Sequence, residues 1–350
     1  MKKKFYLLMF ATSLLSVTSC EKDGNDDQNN GTTGRYIHWT RFEQTTPNQF
    51  SRSARLVKDG KIYASPYTSS SDGGVTWVDI PNDGLGREFL NLNGDFWVES
   101  RNSGTNTKIY QAISGGSSIT FNTNFTTGNV AWEGGSTAYS YLNNSGSTYG
   151  GAWDNDYILV SNNSGTTWTP ITMQPPAHNG PTSSYEWVRL IDGKLFALSR
   201  IFAPGGFTNY QLHYFTGNSW ISSSVYSYQI SLRKVTGHGI FALMNGGTYR
   251  FEITGPAFSF QEIEFEDDFN NSTNTQGIML NAGGNLLIGS EFKLFIPRPQ
   301  TDRMYNPSPL DGSNSLPGIG GMVLFGNELI VTRGSFTYKT PFPFVFHQNP

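Results

Sequence analysis

Repetition constrains this 350-residue sequence more than any other feature. Ser70-Ser71-Asp72-Gly73-Gly74-Val75-Thr76-Trp77 reads Ser-x-Asp-x-Gly-x-Thr-Trp, and Ser161-Asn162-Asn163-Ser164-Gly165-Thr166-Thr167-Trp168 repeats it with Asn163 for the aspartate. Ser114-Gly115-Gly116-Ser117-Ser118-Ile119-Thr120-Phe121 is a decayed third copy. The pattern describes a hairpin turn. Asp or Asn accepts hydrogen bonds from the turn's own N–H groups. Gly takes a positive φ that a Cβ disfavours. The terminal Trp leaves on a strand, where it can bury a large apolar area between sheets. The residues Ser70, Asp72, Gly74, Thr76, Trp77, Ser161, Asn163, Gly165, Thr167 and Trp168 are therefore expected to be structural.

A second repeat joins two apolar strands through a glycine turn. Its copies are centred on Gly60, Gly94, Gly135, Gly193, Gly239, Gly284 and Gly326, which lie 34 to 58 residues apart. Composition agrees with short strands and many turns: 39 glycines, 14% aromatic and only 15% charged residues, against about 25% charged in an ordinary domain. A wholly disordered chain, a helical bundle and a polyanion binder do not fit, the last because the net charge is −3 with no basic run beyond the N-terminus. The eight-residue repeats resemble the Asp-box, or BNR repeat, of sialidases and related β-propellers. That resemblance implies an all-β β-propeller with the boxes on its rim. Seven glycine-turn copies predict seven four-stranded blades, or six if a weak copy is misread. Residues 36–42 resemble the strands that follow the boxes, and the chain runs out near His347. The N-terminal strand is thus expected to complete the last blade and close the ring.

Residues 1–19 form a secretory signal: Lys2, Lys3 and Lys4, an apolar run from Phe5, and small residues before Cys20. Val17-Thr18-Ser19-Cys20 resembles the lipobox of bacterial lipoproteins, which implies acylation of Cys20. Residues 20–34 read as a polar tether, and the acids after Cys20 resemble the surface-export signals of Bacteroidota lipoproteins. The expectation is one propeller domain over 35–350, monomeric, touching the bacterial outer membrane only through the lipid on Cys20 and exposed at the cell surface. With Cys20 acylated, no thiol remains for catalysis, disulfides or zinc.

Candidate chemistry lies at one mouth of the channel, where inner strands start and second-to-third strand loops open. Two such loops read as long. Residues 143–155 carry Tyr149, Trp153 and Asp154, and residues 200–208 carry Arg200, Phe202 and Phe207. Arg52, Arg189 and Arg233, with Glu186, belong to inner strands and could grip a carboxylate. Arg52 would align with the first carboxylate-binding arginine of sialidases, but Ser53 and Ala54 replace that family's Ile-Pro. Its acid loop is reduced to Ser65-Pro66, and Tyr305 and Tyr338 are only positional candidates for a nucleophile. The residues therefore favour a non-catalytic binding propeller for a glycan or another surface protein, with a sialidase-like exo-glycosidase on acidic sugars as the alternative. No cofactor, metal or nucleic acid is expected. The acidic stretch from Glu262 to Asp268 reads as a solvated edge.

Overall fold

The computed structural model describes residues 35–45, 53–65, 68–80, 89–92, 95–102, 107–112, 118–122, 130–143, 156–176, 183–202, 208–265, 278–290, 293–297, 304–305 and 319–348. Every regular element among them is a strand. They form seven antiparallel sheets in chain order, plus one two-stranded pair.

Sheet 1 starts at Ser53–Lys58, sheet 2 at Phe89–Leu92 and sheet 4 at Ser183–Ile191. Sheet 5 starts at Ile230–Val235, sheet 6 at Ile278–Ala282 and sheet 7 at Ile319–Phe325. Sheet 3 has three named strands, Ala138–Leu142, Tyr157–Ser161 and Thr169–Pro170, preceded by a bridge from Ala131 to Tyr139. Within each sheet the strands follow one another as an antiparallel meander, except that the fourth strand of sheet 7 comes from the N-terminal part of the chain. The turn glycines Gly60, Gly135, Gly193, Gly239, Gly284 and Gly326 all have positive φ, the conformation that makes these turns possible without strain.

From sheet 2 onward each sheet packs face to face on the next. Phe121 of sheet 2 joins Ala138, Leu159 and Trp168 of sheet 3 in one apolar cluster. Ile158 meets Val188 and Leu195 across sheets 3 and 4, and Phe196 meets Leu232 and Ala242 across sheets 4 and 5. Phe241 meets Ile288 and Phe295 across sheets 5 and 6, and Leu287 meets Val331 across sheets 6 and 7. Finally Val323 and Ile330 of sheet 7 pack on Ala54, Ile62 and Trp77 of sheet 1. The last sheet meets the first, which makes the fold a β-propeller.

The chain ends close the ring in two steps. Thr40–Glu43 is the fourth strand of sheet 7, pairing with Phe336–Pro341. Arg35–Ile37 does not continue that strand. It pairs with Phe346–Gln348, a strand at the very place where sequence alone suggests the last blade simply ends. The expected single strand over 36–42 is thus two strands broken at His38 and Trp39. Trp39 is buried in the cluster between sheets 6 and 7 while His38 is exposed. Residues 1–34, which include Cys20 and the tether, lie outside the described residues.

Candidate functional site

In a meander the start of the first strand, the end of the second, the start of the third and the end of the fourth share one end of the sheet. That end of sheet 4 gathers polar groups. The inner strand Ser183–Ile191 pairs with Lys194–Phe202 except at a bulge: Tyr185 faces Ser199 and Trp187 faces Leu198, leaving Glu186 as the extra residue. A bulge re-aims a side chain out of the ladder. This one is held by a neighbour. The Asn143 amide donates to the Tyr185 carbonyl at 2.7 Å and accepts from the Tyr185 N–H at 2.8 Å. The Tyr141 hydroxyl donates to the Glu186 carbonyl at 2.9 Å. Tyr185 is buried, and burial, then the Asp156 carboxylate, push its phenol upward so that it stays neutral.

Glu186 reaches toward sheet 5. It accepts a hydrogen bond from Gln229 Nε2 at 3.2 Å and stands 3.6 Å from Arg200 Nη1. The Arg200 guanidinium lies over the exposed Phe202 ring at 4.6 Å, and its Nε is buried without a hydrogen-bond partner. Arg200 and Phe202 sit on a strand: Lys194–Phe202 runs on past the point where a loop from residue 200 is expected. The reason is cross-strand pairing, since Arg200 faces Tyr210 and Phe202 faces Thr208 in register.

The other candidates divide. Arg189 does not face the mouth. Its Nη1 donates to the Leu232 carbonyl and the Ser231 hydroxyl, and its guanidinium lies 5.0 Å from the Trp187 ring, so it ties sheet 4 to sheet 5. Arg233 is half-buried in mid-strand, opposite Phe241 in register. Inner-strand side chains here alternate between two seams rather than pointing down the channel. Tyr338 is buried in the core between sheets 6 and 7, and Tyr305 lies on the outermost strand of sheet 6, so neither stands at the mouth. Arg52, Tyr149, Trp153, Asp154 and Phe207 lie outside the described residues.

Sequence reasoning missed three features. Arg333 is fully buried at the end of the second strand of sheet 7. His213 is fully buried with Nε2 2.9 Å from Ser199 Oγ and Nδ1 2.8 Å from Ser222 Oγ. That spacing suits a serine–histidine pair, but both groups are closed inside sheet 4, so the relay fastens three strands. The third is a band of tyrosines beside Arg200. An every-second-residue signal marks it in the sequence: Tyr210-x-Leu212-x-Tyr214, Tyr226-x-Tyr228 and Phe258-x-Phe260.

The opposite end of the sheets is built from turns. In the 70–77 turn, Ser70 Oγ accepts from the Gly74 N–H at 2.8 Å, and Asp72 accepts from the Val75 and Thr76 N–H groups at 3.1 and 2.9 Å. The 161–168 turn repeats this with Ser161 accepting from Gly165 at 2.8 Å and Asn163 accepting from Thr167 at 3.0 Å. Trp77 and Trp168 are both buried. The start of the third copy, 114–117, lies outside the described residues, but Phe121 is fully buried against Trp132 at 5.5 Å. Glu133 accepts from the Asp192 and Gly193 N–H groups, and Lys234 pairs with Asp192, so this end is stapled from sheet 3 to sheet 5. Among the described residues no group of three His, Cys, Asp or Glu side chains could hold a metal ion.

The chain matches no protein-family model, and no curated protein resembles it in sequence. Solved structures resemble it in fold. YCF48 from Cyanidioschyzon merolae is 14% identical with a TM-score of 0.49, over 87% of this chain and 98% of that one. A putative gluconolactonase is 12% identical with a TM-score of 0.37, over 91% of this chain and 96% of that one. Trypanosoma rangeli sialidase in complex with sialic acid is 11% identical with a TM-score of 0.38, over 86% of this chain and 58% of that one.

Proposed function

We propose that this protein is a seven-bladed Asp-box propeller lipoprotein of the Bacteroidota type that binds a glycan or another surface protein without transforming it. The observation that carries this reading is the Glu186, Gln229, Arg200 and Phe202 group. An arginine laid on an exposed ring, with a carboxylate and an amide beside it, offers stacking and hydrogen bonds to one ligand. Each of these groups suits holding a ligand by stacking or hydrogen bonding. The signal-like head and Cys20 support display on the outer membrane through a lipid anchor.

The test is binding of the purified domain to a glycan array and to extracted surface proteins, repeated with Arg200→Ala. The expected result is capture of one ligand class and a loss of about 2 kcal/mol or more on removing Arg200. Turnover of a bound sugar, or undiminished binding by the variant, refutes the reading.

A further inference from the structure

We infer that the mouth end of the seam between sheets 4 and 5 is a binding strip for an extended, uncharged oligosaccharide, lined by Tyr210, Tyr226, Tyr228, Tyr249, Phe260 and Glu262. The inference rests on the binding reading above and extends it from the mouth toward the rim.

Register places these groups together. In sheet 4, Arg200 faces Tyr210 and Tyr210 faces Tyr226, so three successive strands present one row of side chains on one face. That face turns toward sheet 5, because Phe196, Leu198 and Leu212 on it join Leu232 and Ala242 in a common cluster. In sheet 5, Tyr249 faces Glu262 and Phe251 faces Phe260, and these side chains turn back toward sheet 4. Tyr228 lies on the short segment that crosses from one sheet to the other, next to Gln229, which is bonded to Glu186.

Deep in the seam the packing is dry: Phe196 and Leu212 are fully buried and Phe251 nearly so. At the mouth end all five rings are only half-buried. Tyr226 lies 5.3 Å from Tyr228 at 32°, and 6.2 Å from Phe260 at 81°. Among the described residues the hydroxyls of Tyr226, Tyr228 and Tyr249 make no hydrogen bond. Burial and the Tyr228 hydroxyl raise Tyr226, while burial, Glu262 and then Tyr228 raise Tyr249, so both remain protonated donors in neutral solution.

Half-exposed rings carrying free hydroxyls match a ligand with C–H faces and hydroxyl edges. Charges stand only at the two ends, Glu262 in sheet 5 and Arg200 at the start of the sheet 4 row, so the ring-lined stretch between them suits hydroxyl groups rather than ions. From the row of Arg200 to that of Tyr226 is two strand spacings, about 10 Å, longer than one sugar ring. Gly247 completes the strip. A Cβ there would stand 2.9 Å from the Tyr249 ring, so the ring folds back over the glycine.

The test uses the full mature domain with defined gluco-, manno- and xylo-oligosaccharides of increasing length, read by calorimetry, with peptides and galacturonate oligomers alongside. The expected result is affinity for a neutral series that rises with chain length. Tyr226→Ala and Tyr228→Ala should each weaken the longer members up to about tenfold while hardly changing the shortest. Gly247→Ala, which removes no polar group, should do the same more weakly. Melting curves confirm that each variant is folded. Binding only to peptides or galacturonates, no binding to any neutral series, or equal affinity of the tyrosine variants overturns the strip. Arg200→Ala separates the two readings: a ligand lost with Arg200 but indifferent to the tyrosines keeps the mouth and removes the strip, and the reverse keeps the strip and removes the mouth.

Discussion

The seam that closes the ring and the seam between sheets 4 and 5 are built to different ends. At closure, Gly321 lies against the Ala54 backbone so tightly that a Cβ would stand 2.1 Å from its carbonyl oxygen. The Ala54 N–H donates to Thr332 Oγ1 at 2.9 Å, and Thr337 Oγ1 donates to the Gly74 carbonyl. Gln44 reaches the Phe336 carbonyl at 3.1 Å, and Lys339 reaches the Asp72 carbonyl at 2.9 Å. Trp77, Thr332 and Thr337 are all buried. The other seam shares the dry depth but ends in half-exposed rings. Sheets 4 and 5 are joined by the short segment after Tyr226, so chain connectivity holds them close. Sheets 7 and 1 are joined in sequence only through Thr40–Glu43, a strand that is itself held in sheet 7 by pairing with Phe336–Pro341. The other three strands of sheet 7 must be held on sheet 1 by side chains and backbone contact, because the loop linking them would span nearly the whole chain. A seam held by connectivity can leave its end open to a ligand.

The largest contrast is expected from the aromatic residues of the two seams. Trp77→Ala should destabilise the domain by about 3–5 kcal/mol in denaturant titration, the usual loss for a buried large aromatic. Tyr226→Ala, half-buried at the open seam, should cost about 1 kcal/mol or less. Equal losses would erase the distinction between closed and open ends. Next in size, Gly321→Ala should cost about 1–3 kcal/mol by overpacking, because backbone atoms rather than a flexible side chain stand in the way. Gly247→Ala at the open seam meets only the Tyr249 ring and should lower the melting temperature much less.

The smallest effect is a pH dependence confined to the closing seam. Burial raises the Asp72 carboxyl, but hydrogen bonds from Thr76, Ser70 and Val75 outweigh it and hold its pKa below the ordinary value of 3.8. A carboxyl lowered in the folded state stabilises above its unfolded pKa and loses that contribution as pH falls through the folded one. The wild type should therefore lose melting temperature below about pH 4 more steeply than Asp72→Asn. Asn163 already fills the corresponding position of the 161–168 turn, so Asn163→Asp should add acid sensitivity there. Parallel pH curves for Asp72→Asn and wild type would contradict the hydrogen-bonded carboxylate.

The information legible in the residues alone is local. The two turns are legible because Ser70, Asp72 and Gly74, like Ser161, Asn163 and Gly165, satisfy one another within a few residues. The glycine turns are legible because a positive φ tolerates few other residues, and the repeats imply the meander. The tertiary structure decided what each strand face meets. Alternation shows that Arg189 and Val188 point to opposite sides, but not that one side is the Leu232 carbonyl, a partner 43 residues away. The same holds for Arg200, read as a loop residue until its pairing with Tyr210 carried the strand past it. The split of 36–42 likewise depended on Phe346–Gln348, more than 300 residues distant, being there to pair with Arg35–Ile37. A period of two divides side chains between faces; only the packed ring determines whether a face is sealed or left open to a ligand.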